Sequence, residues 1–243
     1  MRGLALSGRP LVTRAAATMA ILCVISGALT GCSGASSTTP IPVSEAAAQP
    51  RNAPVVAVLG DSFTVGSGPV RTWDSYAAKV ARQFDWQLIV AGASGTGFVN
   101  PGRVGRNFHE SFVQELAWRP APDMLIVSGG HNDRRTHPLT VYRAAAKLLR
   151  AVRIHWPGTR VVVVGPIWIG GAPRWAYPVR DAISLASKQS RVTFLDPLAR
   201  RWITPRTTGI LLPDGVHPTH QGHVRLARWL ALSLQARGIT AGR

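Results

Sequence analysis

The sequence predicts an α/β fold: three layers, α/β/α, around a central, mostly parallel five-stranded sheet. Three observations predict it. Short apolar runs rich in β-branched residues alternate with longer segments of helical spacing, the pattern of parallel strands joined by helical crossovers. One run, Val161-Val162-Val163-Val164, is apolar without alternation, as befits a strand buried on both faces. The chain has 243 residues, 46% of them hydrophobic, enough to fill one substantial core.

Val55 to Leu59 is the first predicted strand. A helix follows over Ser75 to Phe84, with Tyr76, Val80 and Phe84 recurring on one face. Gln87 to Val90 is the second strand, and a Gly-rich loop from Gly92 to Gly105 leads to a helix around Glu110 to Trp118. Met124 to Val127 is the third strand. Pro138 suits a first helical turn, and Tyr142, Ala145, Leu149, Val152 and Trp156 step along the next helix until Pro157-Gly158 stops it. Arg160 to Gly165 holds the fourth strand, Tyr177 to Ser190 a helix, and Val192 to Leu195 the fifth strand. Val224, Ala227, Leu230 and Leu234 mark the buried stripe of a closing helix.

Ahead of this domain, residues 1–31 read as an export signal, with Arg2, Arg9 and Arg14 before the apolar stretch Ala15 to Leu29. That stretch is short and poorly flanked for a permanent membrane span. Leu29-Thr30-Gly31-Cys32 resembles the bacterial lipobox, whose cysteine becomes the lipid-bearing first residue after cleavage; an incidental Cys32 behind a cleavable signal is the alternative. Residues 32–54 are rich in Ser, Thr, Pro and Ala and read as a tether, which leaves 55–243 as the folded domain. Cleavage before Cys32 removes Cys23, so the mature chain would fold without a disulfide. The expected location is the cell envelope, lipid-anchored on the outer face of the membrane, or outside the cell.

The formal net charge of +17 falls to +14 without the three signal arginines. The basic residues are scattered, with no recognition helix, zinc pattern or RNP-like strand among them, so no nucleic-acid partner is expected. A broadly basic surface would favour anionic lipid or envelope polysaccharide.

Ligands of open parallel sheets sit beyond the carboxyl ends of the strands. Four polar clusters fall there: Asp61-Ser62, the loop Gly92-Ala93-Ser94-Gly95-Thr96-Gly97, then Gly129-Gly130-His131-Asn132-Asp133, and Asp214-Gly215-Val216-His217. A serine hydroxyl needs a base to take its proton, and the base needs a carboxylate to fix its tautomer. Asp214 and His217 can supply both from one turn. The Ser62 N–H, a glycine N–H of the second cluster and the Asn132 amide are suited to an oxyanion hole. Each residue also has an ordinary reading: Ser62 as a helix cap, Asn132-Asp133 as a loop pair, Asp214 and His217 as a surface pair.

Taken together and in this order, the four segments resemble the blocks of the SGNH (GDSL-type) hydrolases: Gly60-Asp61-Ser62, Ser94-Gly95, Gly130 to Asp133, and Asp214 to His217. Phe63 stands where the GDSL form has Leu. Thr64, where G-x-S-x-G would have its last Gly, argues against the α/β-hydrolase elbow. The resemblance implies an SGNH, flavodoxin-like sheet and a serine esterase or lipase. It makes Ser62 the nucleophile, His217 the base and Asp214 its partner, with Ser62, Gly95 and Asn132 forming the hole and Gly92 competing with Gly95. No cofactor is implied, and the expected partner is an ester: lipid, acylated glycan or small ester. The alternatives are an O-acyltransferase or deacetylase on envelope polysaccharide, or a catalytically silent envelope binding protein.

His217, His220 and His223 recur every third residue, but Pro218 and Gly222 spoil the geometry of a metal set, and none is expected. His131 either lines the pocket or makes a structural contact. Trp168, Trp175 and Tyr177 follow the fourth strand and form either an acyl or sugar platform or part of the core.

Overall fold

The computed structural model describes residues 53–199 and 209–239. The predicted signal, Cys32 and nearly all of the tether lie outside the described residues. The five strands are β1 (Val55–Gly60), β2 (Gln87–Gly92), β3 (Met124–Ser128), β4 (Arg160–Val164) and β5 (Thr193–Leu195), in the spatial order β2-β1-β3-β4-β5. Every pairing is parallel, so the sheet is wholly rather than mostly parallel.

The helices are α1 (Ser62–Val65), α2 (Tyr76–Gln83), α3 (Phe108–Ser111), α4 (Pro138–His155), α5 (Ala176–Gln189) and α6 (His220–Gln235). α1 is not foreseen in the sequence reading, because four residues are too few to display a helical period. α3 starts two residues earlier than expected: Asn107 caps it and Glu110 closes the capping box, after which Phe112–Leu116 widens into a π-helical turn. α6 likewise starts at His220, where Thr219 accepts the Gly222 N–H, ahead of the apolar stripe that announced it.

Alternation along the strands sorts the core into two halves. Ala57, Leu59, Leu125, Val127 and Val163 face Leu148, Val152, Ile183 and Phe112, on the side carrying α4 and α5. Val56, Val58, Ile126, Val162 and Val164 face Tyr76, Val80, Leu226 and Leu230 of α2 and α6. The Val161–Val164 run is apolar because both of its faces meet helices. Among the described residues no helix is long and apolar enough to cross a membrane.

The register aligns Gly60 with Gly92 on one side and with Ser128 on the other. The loops leaving β1, β2 and β3 therefore start at one level. They do so around the β1/β3 switch, where the order of connection reverses and a crevice opens.

Candidate active site

Ser62 is the first residue of α1, immediately beyond β1 and its cap. Asp61 caps the helix by accepting the Phe63 N–H at 3.0 Å. The turn is tight enough to require glycine ahead of it, since a Cβ on Gly60 would lie 2.2 Å from Thr64 Oγ1 and 2.9 Å from the Ser128 carbonyl. The carbonyl of Asp61 serves Thr64 and Val65, and its carboxylate serves Phe63. The Ser62 N–H has no protein acceptor among the described residues, as expected at the first position of a helix.

Asp214 and His217 sit on a turn closed by the Leu211–Pro218 bridge and by the Leu212 N–H donating to the His217 carbonyl at 2.8 Å. One Asp214 oxygen accepts the backbone N–H groups of Val216 and His217, each at 2.9 Å. The other lies 2.6 Å from His217 Nδ1. The slight burial of this carboxyl raises its pKa, but the His217 side chain and these backbone donors outweigh that and hold it down at about 2. His217 Nε2 stands 2.8 Å from Ser62 Oγ. The structure thus joins three predicted residues, Asp214, His217 and Ser62, in one hydrogen-bonded chain. With Nδ1–H donated to Asp214, Nε2 of neutral His217 is left to accept from the serine hydroxyl.

The loop after β2 is shaped from below by Asp133. Its carboxylate accepts the N–H groups of Phe98 at 2.9 Å and of Val99 and Asn100 at 3.0 Å. A Cβ on Gly97 would sit 2.7 Å from that carboxylate, so only glycine lets the loop come so close. Of the two competing glycines, Gly92 already donates its N–H to Glu115 at 3.1 Å, whereas Gly95 has no acceptor for its own among the described residues. The Asn132 amide is more engaged than the sequence suggested. It donates to the Thr96 carbonyl at 2.9 Å and reaches Asp61 at 3.4 Å, so one N–H orients the group and the second is only weakly held.

Two buried acids lie behind the site. Burial, more than the nearby Asp133 charge, pushes the Asp61 carboxyl up to about 7, against the opposing bond from Phe63. Burial also raises Asp133, and its three backbone donors pull the other way. Sequence reasoning assigned neither role; an Asp directly ahead of the short helix was the available sign for the first.

A run of ring contacts leads away from His217. Phe63 lies 5.5 Å from the His217 ring and 5.6 Å from that of His131. His131 stacks on Trp168 at 4.7 Å, and Trp175 meets both edge-on at 6.0 and 5.4 Å. Burial holds the His131 pKa down to about 4, so this ring is neutral near pH 7. Tyr177, in the first turn of α5, turns outward beneath the Arg180 guanidinium and takes no part. Nor do the three evenly spaced histidines converge: His220 lies 3.8 Å from Asp74, and the buried His223 accepts the Tyr76 N–H at 3.1 Å. Among the described residues no group of three or more His, Cys, Asp or Glu could hold a metal ion.

The GDSL-like Lipase/Acylhydrolase family profile matches residues 58–225. The GDSL lipase Rv0518 of Mycobacterium tuberculosis is 29% identical over 189 residues, 72% of this chain and 79% of that protein. Est24, a carbohydrate acetylesterase from Sinorhizobium meliloti, superposes with a TM-score of 0.62 at 20% identity, over 75% of this chain and 99% of its own. A family two carbohydrate esterase from Clostridium thermocellum, solved with cellohexaose, also gives 0.62, at 16% identity over 76% of this chain and 64% of that one.

Proposed function

The chain belongs to the GDSL-like lipase/acylhydrolase family of hydrolases, and from that premise we propose that it is a serine ester hydrolase working through an acyl-enzyme on Ser62. The observation that carries the proposal is the continuous chain from Asp214 Oδ2 through His217 to Ser62 Oγ, with separations of 2.6 and 2.8 Å. Ser62 Oγ attacks the ester carbonyl carbon as His217 Nε2 takes its proton. Asp214 stabilises the imidazolium and holds its tautomer. The oxyanion accepts hydrogen bonds from the N–H groups of Ser62 and Gly95 and from the weakly held N–H of Asn132. The Gly95 N–H, which has no acceptor among the described residues, favours it over Gly92. Collapse breaks the ester C–O bond, His217 protonates the leaving alkoxide, and a water attacks the acyl-enzyme by the same steps.

Ser62→Ala should lower turnover of p-nitrophenyl acetate or butyrate by about a thousandfold or more with folding unchanged, because triad members act as a unit. A fluorophosphonate probe should label the wild type at Ser62 and leave the variant unlabelled. Retained turnover in the variant would remove Ser62 from the mechanism.

The aromatic wall favours a more specific reading. His131 meets Phe63, Trp168 stacks on His131 and Trp175 meets both edge-on, and sugar rings pack on such aromatic surfaces through their apolar C–H faces. An acyl ester carried on a glycan is therefore the substrate class we favour, with water as acceptor in a deacetylase and a sugar hydroxyl as acceptor in an O-acyltransferase. We also infer export and lipid anchoring at Cys32 from the Leu29-Thr30-Gly31-Cys32 segment. Cys32→Ala should move the protein from the detergent to the aqueous phase in Triton X-114 partition; an unchanged distribution would count against the anchor.

A further inference from the structure

A second concave region lies at the opposite end of the sheet, where β4 and β5 begin and α4 and α6 end. It has a volume of about 540 Å³, and four arginines line it: Arg153, Arg160, Arg191 and Arg237. They come from separate places, the last turn of α4, the first residue of β4, the turn before β5 and the residues just past α6. All four are exposed.

Two arginines elsewhere find acids: Arg106 pairs with Glu115, and Arg180 with Asp181 and Asp196. None of the four cavity arginines has a carboxylate partner among the described residues. Arg153 donates to the Ser190 carbonyl and Arg237 to the Ser233 carbonyl at 3.1 Å. Those bonds suit helix ends, where cations complement the backbone dipole, and each uses only one of five guanidinium donors. Arg160 is at no helix end, and Arg191 follows Ser190, the C-cap of α5; neither side chain makes a hydrogen bond among the described residues. Arg191 takes the left-handed position (φ 56°) that closes α5, with its N–H donating to the Lys188 carbonyl at 3.1 Å and the Val192 N–H to the Ser187 carbonyl at 3.0 Å, a place where Gly or Asn is the commoner residue. Four like charges around one concavity raise its positive potential, and guanidinium forks match phosphate oxygens in pairs. Buried Trp156 and Ile239 add apolar lining, and the volume exceeds what a bare phosphate needs.

We propose that this cavity is a binding site for an organic phosphate ester, separate from the catalytic crevice, with Arg160 and Arg191 as its main anion ligands. The ester is either a free phosphate ester or the headgroup of an anionic phospholipid. Both present the same phosphate oxygens, and the site's distance from Ser62 lets it hold the enzyme at a surface or sense a metabolite without blocking the crevice.

Thermal unfolding of the full chain with glycerol 3-phosphate tests this. In the wild type, ligand at ten times its dissociation constant should raise Tm by about 3 °C. The Arg160→Ala/Arg191→Ala pair should show no rise. Arg143→Ala/Arg228→Ala, two exposed arginines elsewhere with the same loss of charge, should behave as wild type. Arg160→Lys/Arg191→Lys should keep a reduced rise, and serves if the alanine pair fails to fold. Co-sedimentation with phosphatidylglycerol vesicles, against phosphatidylcholine, separates the sources. Sedimentation lost in the alanine pair assigns the headgroup; sedimentation unaffected while the glycerol 3-phosphate effect disappears assigns the free ester. No rise in the wild type at millimolar ligand, or an equal rise in the alanine pair, overturns the proposal.

Discussion

Replacing Asp133 by Asn changes almost no volume but removes one of its two acceptor oxygens. Its two oxygens accept three backbone N–H groups of one loop, Oδ2 from Phe98 and Oδ1 from Val99 and Asn100. An Asn side chain can keep its oxygen on the Val99/Asn100 pair only by turning its NH₂ against the Phe98 N–H. One charge-assisted bond is then lost and a buried donor is left unmet, worth about 2 to 3 kcal/mol, and the two surviving bonds weaken from charged to neutral, about 0.5 kcal/mol each. Relief of burying an ionised carboxyl, whose pKa burial raises, offsets part of this. A net loss of about 3 kcal/mol in urea unfolding is expected. The same loop presents the Gly95 N–H, and Asn132 is the next residue, so a loosened loop aims two proposed oxyanion donors less well. The kcat for p-nitrophenyl acetate should fall about 10- to 100-fold, short of the loss from deleting a donor outright, with KM little changed. Asp133 is on this reasoning a positioning residue. If the Asp133→Asn variant lost stability but kept kcat within about twofold, the link from this carboxylate to the hole would be refuted.

Asp61 predicts a distinct pH signature. Because the folded state holds its proton up to about 7, against an ordinary 3.8, the stability it contributes is present at low pH and lost as pH rises through about 7. Asp61→Asn keeps the cap and removes the titration, so relative to wild type it should gain up to about 4 kcal/mol between about pH 4 and pH 8 in urea unfolding. Parallel profiles for the two proteins would remove the assigned cause. Trp168→Ala should lower kcat/KM for acetylated oligosaccharides by about tenfold, the value of one aromatic face, while leaving p-nitrophenyl acetate within about twofold. Equal losses on both substrates would mean that Trp168 supports the crevice rather than a sugar.

Much of this was legible in the sequence because its causes are local. Parallel strands between two helical layers must be apolar on both faces, and Val161–Val164 says so in four letters. Helical stripes at Tyr76, Val80 and at Leu230, Leu234 report which face meets the sheet. The pairing of Asp214 with His217 is a matter of one turn, three residues apart. Four blocks in a fixed order named the family and the residues worth examining.

Tertiary structure decided whatever depends on distance across the fold. Ser62 and His217 are 155 positions apart and meet at 2.8 Å only because β1 lies inside the sheet and the 210–219 turn reaches over its end. Gly95 and Gly92 are equivalent as letters; they differ because Glu115, from the next crossover, takes the Gly92 N–H. The same holds for Asp133 beneath its loop, for the ring contacts from His217 to Trp168, and for four arginines that are scattered along the chain and share one cavity. The sequence by itself determined the layers, the strands and the chemical groups available, since propensity and burial period act over a few residues. Which groups meet, and with what left unpaired, was decided by packing, because a hydrogen bond or a repulsion exists only between atoms that the fold brings within reach.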